Sequence, residues 1–165
     1  MLLNNLSSYE PDMDLLNVST EEQLKIVREL FEEYAFSLDY EICFQNFAAE
    51  LAQLPGYYAP PSGRLLLAFH NGCAAGCVAL RRLEGGVCEM KRLYVRPEFR
   101  GSGIGKALAE AVVCEARETG YKIMRLDTVS SMHKAQSIYE SLGFVDTKPC
   151  CFNPLEDIRY MELKI

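Results

Sequence analysis

The sequence predicts a single α/β domain built around a mixed β-sheet. Its length of 165 residues suits one domain better than two. Its composition, 49% hydrophobic and 24% charged, is ordinary for a globular protein. Predicted strands and helices also interleave along the chain, which is typical of the α/β classes. Residues 1–11 are expected to form a loose N-terminal lead, and residues 12–165 to form the domain.

The first part of the chain predicts one strand and two helices. Residues 13–17 read as a short strand. Ser19 and Glu22 then fit a capping box, and an apolar stripe at alternating spacings of three and four predicts an amphipathic helix. A second helix is predicted for about residues 42–54, ended by Pro55. The apolar stripe consists of Leu24, Val27, Phe31, Tyr34 and Leu38.

The middle of the chain predicts a meander of three strands. Asn71-Gly72 is a strong hairpin signal between the first two. Gly76, inside the second strand, indicates a bulge or a close approach of backbones. The three strands are predicted at residues 65–69, 73–83 and 87–95.

The last part predicts two helices and three further strands. Gly120 is expected to end the first helix in a left-handed conformation. Ser130 or Ser131 is expected to cap the second helix, which Gly143 ends. The resulting order, β-α-α-β-β-β-α-β-α-β-β, gives a mixed sheet with helices packed on it. In order, the elements are a helix over residues 103–119, a strand over 122–128, a short helix, and strands over 144–145 and 158–163.

The charge distribution bears on the class of ligand. The net charge is −6, whereas nucleic-acid-binding domains are usually basic, so nucleic acid is not an expected partner. Residues 1–60 carry eleven acidic and two basic residues, and residues 61–165 carry twelve acidic and fifteen basic residues. An anionic ligand is therefore expected to bind the second part of the chain.

The cysteines and the absence of long apolar runs predict a cytoplasmic protein. There are seven cysteines, an odd number, and no signal peptide is recognised, so free thiols in a reducing compartment are expected. No apolar run approaches the ~18 residues of a membrane span, so no membrane partner is expected. His70, Cys73 and Cys77 lack a nearby fourth ligand, so no metal is predicted. The role of Cys150 and Cys151 stays open.

The clearest chemical signal is a glycine-rich loop between a strand and a helix. Glycines let the backbone approach a ligand and turn successive N–H groups towards it. The helix start adds unpaired N–H donors and a positive dipole end. The segment therefore predicts a phosphate or pyrophosphate site, and it reads Arg100-Gly101-Ser102-Gly103-Ile104-Gly105-Lys106.

Two familiar phosphate-binding motifs do not fit this loop. The P-loop requires glycine and serine or threonine where Arg100 and Ala107 stand. The dinucleotide motif G-x-G-x-x-G requires a third glycine, and counting from either possible start reaches Lys106 or Leu108 instead. The pattern that remains is R-x-x-G-x-G, directly after a strand ending in L-x-V.

A second segment lies downstream at a suitable distance. Residues 135–144 read A-x-x-x-Y-x-x-x-G-F. With both segments, the sequence resembles the GNAT superfamily of acyl-CoA N-acyltransferases over about residues 13–165. The resemblance implies a GNAT-like fold: a central mixed, mostly antiparallel sheet, flanked by helices and splayed between the fourth and fifth strands.

The resemblance implies acetyl-CoA as co-substrate. The loop amides would bind its pyrophosphate, and the pantetheine arm would pair with the preceding strand end as an extra strand. A backbone N–H near Leu93 or Tyr94 would polarise the thioester carbonyl. The implied coenzyme-binding residues are Leu93, Tyr94, Val95, Arg100, Gly101, Ser102, Gly103, Ile104, Gly105 and Lys106.

The resemblance also implies how protons would move. Tyr139 corresponds to the family's usual general acid, and the alternative is an aromatic residue of the core. Glu89 is the candidate base, acting through a water, and the alternative is a surface acid paired with Lys91 or Arg82. Met132 stands where many relatives have an asparagine, which puts the coenzyme contacts around His133 in doubt.

Two functions follow from these signals. The first is an N-acetyltransferase that transfers acetyl from acetyl-CoA to a primary amine in a ternary complex. The second is a catalytically silent acyl-CoA-binding sensor or interaction module. The acceptor, a small-molecule or peptide amine, is not readable from the sequence, because the acceptor wall varies freely within one fold. A homodimer is common in the family, and the sequence does not show its interface.

Overall fold

Seven strands form one mixed sheet. The structure, a computed structural model, describes residues 12–38, 46–149, 153 and 155–165. The strand order is β1-β2-β3-β4-β5-β7-β6; neighbours are antiparallel except β4 and β5, which are parallel. The predicted α/β class and mixed sheet are thus confirmed. The strands are β1 (Met13–Asn17), β2 (Arg64–His70), β3 (Cys73–Arg82), β4 (Val87–Val95), β5 (Ile123–Val129), β6 (Val145–Asp146) and β7 (Ile158–Lys164).

Four α-helices among the described residues flank the sheet. Short 3₁₀ turns at Gly56–Tyr58 and Pro97–Phe99 precede β2 and α3. None of the described helices combines the length and apolar character needed to cross a bilayer. The predicted lead and the candidate residues Cys150 and Cys151 lie outside the described residues. The helices are α1 (Glu21–Ser37), α2 (Phe47–Gln53), α3 (Ile104–Thr119) and α4 (His133–Ser141).

The cap of α1 lies one residue later than predicted. Thr20 is the N-cap: its hydroxyl accepts from the Gln23 N–H, and the Gln23 side chain accepts from the Thr20 N–H. The predicted pair of Ser19 and Glu22 is therefore wrong. Because the first turn begins at Glu21, the side chain three residues after the cap is Gln23.

The helix ends near the second motif also differ from prediction. Met132 is the N-cap residue of α4 and makes no side-chain cap bond. The prediction that Ser130 or Ser131 caps this helix is wrong, and the Ser130 hydroxyl instead donates to the Asp157 carbonyl at 3.2 Å. The predicted second helix is described only from Phe47 onward, because residues 42–45 lie outside the described residues.

Hydrophobic layers cover both faces of the sheet. On one face α3 and α4 pack on the central strands through buried residues that include Leu108, Val112 and Met124. On the other face α1 packs through Val27, Leu30 and Phe31. The sheet is therefore held rigidly between two apolar layers, which fixes the positions of the strand ends that form the site described below.

The sheet opens between β4 and β5, as predicted. Their parallel pairing covers only three positions and ends at Glu89↔Arg125. Beyond that pair, residues 90–95 have no β5 partner among the described residues. On its other edge β4 remains paired with β3, apart from a bulge at Arg92, whose φ is 57°. The end of β4 thus keeps one hydrogen-bonded edge and exposes the other.

Gly76 sits where β3 passes closest to the open end of β4. A Cβ at this position would lie 2.5 Å from the Tyr94 carbonyl oxygen and 3.2 Å from the Leu108 side chain. The close approach predicted from the sequence is present. Only glycine allows this spacing without moving the β4 backbone.

We therefore expect Gly76→Ala to destabilise the fold. The added methyl must push Tyr94 away, and such overpacking costs about 1–3 kcal/mol. Urea unfolding at equilibrium measures the change. Cys73→Ala, at the exposed start of the same strand, is the matched control and should leave the unfolding free energy nearly unchanged. Equal stability of the two variants would contradict this account of Gly76.

Candidate active site

The opening of the sheet leads into a large cleft of about 930 Å³. Its walls are the end of β4, the glycine-rich loop with the start of α3, the end of β5, and the start of α4; Tyr34 of α1 closes one side. Most of the predicted site residues line it, whereas Ser102 and Glu89 do not. Those that line it are Leu93, Tyr94, Val95, Arg100, Gly101, Gly103, Ile104, Gly105, Lys106 and Tyr139.

The loop presents backbone donors to this cleft. Gly101 and Gly103 have φ angles of 83° and 84°, a conformation that glycine adopts without strain. Gly103 is the N-cap residue of α3 and has no side-chain cap. Among the described residues, the amides of residues 101–106 have no backbone acceptor. The arrangement is therefore suited to an anion, because the donors and the helix dipole point the same way.

Side chains around the loop hold its shape and add charge. The Arg100 Nε donates to the Val95 carbonyl at 2.9 Å, and its guanidinium lies 5.8 Å from the Tyr94 ring centroid. The Ser102 hydroxyl donates to the Phe99 carbonyl at 2.5 Å. Lys106 lies 3.8 Å from Glu110 in an exposed pair. Ser102 thus braces the loop, while Arg100 and Lys106 make its rim positive.

Tyr139 lies at the inner end of the cleft. It is buried and its ring packs against Phe144 at 5.9 Å between centroids. Burial raises the pKa of Tyr139, and the nearby Tyr34 and Asp127 raise it further. The phenol therefore keeps its proton at neutral pH and can serve as a donor towards a group in the cleft.

Glu89 does not line the large cleft. Its carboxylate accepts from the Arg81 Nε at 3.0 Å and Nη2 at 2.8 Å, and the Lys91 Nζ lies 3.6 Å away. Arg81 is directly opposite Glu89 across the strand pair. The pairing partners are thus Arg81 and Lys91, and Arg82 is not one of them. A carboxylate held in this way is poorly placed to take a proton from a ligand in the cleft.

Asp127 is a carboxylate in the cleft that the sequence reasoning missed. It lies on β5, two residues beyond the last β4–β5 pair, and it lines the cleft. The Asn153 side-chain amide donates a long hydrogen bond of 3.4 Å to its carboxylate. The signal was present in the sequence: Met124, Leu126 and Thr128 alternate into the core, which turns Asp127 to the opposite face.

A buried ion pair supports the bulge at the end of β4. Arg92 donates to Glu50 of α2 from Nε at 3.1 Å and from Nη2 at 2.8 Å. The guanidinium also lies 5.8 Å from the Tyr34 ring centroid and 5.4 Å from that of Phe47. The Tyr58 hydroxyl donates a further hydrogen bond to Glu50. The pair therefore ties the bulge to α2 with every charge satisfied.

The start of α4 forms the far wall. Met132, His133 and Lys134 all line the cleft. Within the described residues, no cysteine lines it, and no group of three or more His, Cys, Asp and Glu could hold a metal ion. Cys77, weighed above as a metal ligand, is fully buried, and burial raises the pKa of its thiol.

Known proteins are similar to this chain in sequence and in fold. The family model described as "Acetyltransferase (GNAT) family" matches residues 24–144. An uncharacterized N-acetyltransferase of Schizosaccharomyces pombe is 41% identical over 138 residues, which are 82% of this chain and 85% of that protein. Among solved structures, an acetyltransferase of the GNAT family from Staphylococcus aureus has a TM-score of 0.75 at 21% identity, covering 93% of this chain and 99% of that one. The PaiA N-acetyltransferase of Thermoplasma acidophilum, solved in complex with coenzyme A, has a TM-score of 0.72 at 19% identity, covering 93% and 99%.

We expect the pair of Arg92 and Glu50 to contribute strongly to stability. Their side chains are only 4% and 13% exposed, so Arg92→Met leaves a buried carboxylate without its cation. Removing one partner of such a pair costs about 3–5 kcal/mol. Equilibrium urea unfolding measures it, and Lys122→Met, at an exposed position, should cost almost nothing.

A double variant tests whether the cost comes from the unpaired charge. Glu50→Leu combined with Arg92→Met removes both charges and should recover at least half of the loss. A double variant that is as unstable as the sum of the two single variants would contradict the assigned role of the pair.

Proposed function

Because the chain belongs to the acetyltransferase (GNAT) family, we propose that it transfers the acetyl group of acetyl-CoA directly to a primary amine within a ternary complex. The observation that carries the proposal is the continuity of the cleft. The open strand edge, the anion-binding loop and a buried tyrosine all line this one cleft. The loop, the free strand edge and the tyrosine each occur in other kinds of protein. Transfer from an acyl-CoA requires all three in one cleft.

The coenzyme would bind in two parts. Its pyrophosphate would accept hydrogen bonds from the amides of residues 101–106, with Arg100 and Lys106 adding positive charge. Its pantetheine arm would lie along the free edge of Leu93, Tyr94 and Val95 and pair with it as an extra strand. The missing β5 partner at these positions supports this placement, because the backbone groups there are left for a ligand.

The thioester would then lie near the bulge. We assign the polarising donor to the backbone N–H of Leu93 or Tyr94, because these residues follow the bulge on the free edge. A fixed main-chain donor stabilises the charge that develops on the carbonyl oxygen. It requires no reorganisation during the reaction.

Two side chains would handle the protons. The acceptor arrives as an ammonium and first loses one proton to solvent. As the free amine nitrogen bonds to the carbonyl carbon, Asp127 takes up the second proton that the nitrogen loses. As the carbon–sulfur bond breaks, Tyr139 donates to the departing sulfur, and its buried phenol is protonated for that task. We place proton acceptance at Asp127 rather than at Glu89, because Asp127 lines the cleft whereas Glu89 is held by Arg81.

Tyr139→Phe tests the enzymatic proposal. Removing the hydroxyl should lower kcat about 10²- to 10³-fold, the range of a general acid. The affinity for acetyl-CoA should change by less than about twofold, since the loop and the strand edge are unaltered. Thiol release with an amine panel and calorimetric titration of coenzyme measure the two effects.

A matched tyrosine controls for loss of packing. Tyr121 is also buried and donates to the Ser62 carbonyl at 2.6 Å, but it does not line the cleft. Tyr121→Phe should keep kcat within about twofold. Tight coenzyme binding by the parent protein without turnover of any amine would contradict the transferase and favour the sensor.

A further inference from the structure

We propose that the amine acceptor is an amino acid: a small molecule whose primary amine is recognised by Asp127 and whose nearby carboxylate is bound by Lys91. This inference rests on the proposed acetyl transfer and adds the chemical class of the acceptor. The evidence is the placement of two side chains in the cleft. Lys91 stands on β4 and Asp127 on β5, where these two strands diverge.

Lys91 has unused hydrogen-bonding capacity in a nearly dry setting. Its side chain is 11% exposed. The ammonium carries three donors, and the Glu89 oxygen at 3.6 Å is too far for a hydrogen bond. No other acceptor is found for it among the described residues. The Lys91 nitrogen is nevertheless accessible from the cleft. Among the described residues, only His70 has a side-chain nitrogen or oxygen that is both fully enclosed and without a hydrogen-bond partner.

The charged groups of β3, β4 and α2 around Lys91 include one cation more than carboxylates. Three cations, Arg81, Lys91 and Arg92, share two carboxylates, Glu89 and Glu50. Both carboxylates are already engaged by guanidinium groups at 2.8 Å. Burial lowers the pKa of Lys91, with Glu89 acting in the opposite direction. A ligand carboxylate would supply the missing acceptor.

Asp127 provides the complementary charge across the gap. Asp127 stands two residues beyond Arg125 on β5, as Lys91 stands two residues beyond Glu89 on β4, so the two residues continue the register of the last strand pair across the opening. Both line the same cleft as Tyr139. A zwitterion with its ammonium at Asp127 and its carboxylate at Lys91 would satisfy both groups at once. A polyamine or an aminoglycoside would instead bring a second cation against Lys91.

The spacing limits the size of the acceptor. Lys91 lies two residues before Leu93, and the bulge at Arg92 keeps their separation to at most about 7 Å. A molecule that joins a carboxylate at Lys91 to an amine near the thioester therefore needs only a few bonds between the two groups. This geometry favours an amino acid over a lysine inside a peptide. The carboxyl carbon of such a lysine is part of a peptide bond, so it carries no negative charge for Lys91 to bind.

The experiment compares acids with their amides on the purified full chain. The acceptors are glycine, β-alanine, 4-aminobutanoate, L-aspartate and L-glutamate, each paired with the analogue in which every carboxylate is a carboxamide. Thiol release from acetyl-CoA gives kcat/KM for both members of each pair. We expect at least one acid to exceed its amide at least tenfold, because the amide cannot neutralise Lys91.

Variants then assign that preference to Lys91. Lys91→Met should reduce the acid-to-amide ratio of the best pair to about one, mainly through KM for the acid, whereas Lys91→Arg should keep most of it. The ratio is internal to each variant, so it does not depend on the fraction of folded protein. Glu89 keeps Arg81 as its partner in Lys91→Met, so the fold should survive. The control Lys122→Met should leave the ratio unchanged.

The outcomes separate the two proposals. Turnover of the amides as efficient as that of the acids, or a ratio untouched by Lys91→Met, would overturn the amino-acid acceptor while leaving the transferase in place. Turnover confined to polyamines, aminoglycosides or peptides in a parallel panel would do the same. No turnover of any amine, with coenzyme bound, would overturn both.

Discussion

The site depends on the early separation of β4 from β5. Their parallel pairing stops at Glu89↔Arg125, so the remaining two-thirds of β4 keeps β3 on one side and has an open edge on the other. An open edge is normally a liability, because its unpaired donors and acceptors attract another strand. Here it opens into a cleft rather than onto the outer surface, which suits it to a single extended ligand.

Two features keep that edge in place. Gly76 lets β3 approach the Tyr94 carbonyl more closely than any side chain would permit. Arg92 takes a left-handed conformation at the bulge and is anchored to Glu50 and two aromatic rings. The first sets the spacing of the backbones, and the second holds the bulge against α2. The two features therefore act on the same short stretch of β4, which lines the cleft.

The fold and the shape of the glycine-rich loop could be predicted from the sequence, because they depend on local signals. A glycine loop at a strand-to-helix junction determines its own backbone geometry, and the structure places Gly101 and Gly103 in the expected conformation. Helix caps were less predictable, since Ser19 and Thr20 are chemically equivalent and only the first turn selects between them.

The side of the cleft formed by β4 and β5 was harder to predict, because it depends on which way strand residues face. The bulge at Arg92 resets the alternation of β4, and partners on other strands decide whether an acid is held or free. Glu89 and Asp127 look alike in the sequence, yet Arg81 opposite Glu89 engages the first, and the widening gap leaves the second in the cleft. Such differences arise from pairing between distant segments, which local patterns do not encode.

The most direct test is amide hydrogen exchange with and without coenzyme A, read residue by residue. If the free edge of β4 and the start of α3 hold the coenzyme, exchange should slow most at residues 93–95 and 101–106. Gly76→Ala should weaken the slowing at residues 93–95 more than the slowing at residues 101–106. Saturating coenzyme that slows exchange elsewhere and leaves both segments unchanged would contradict the account.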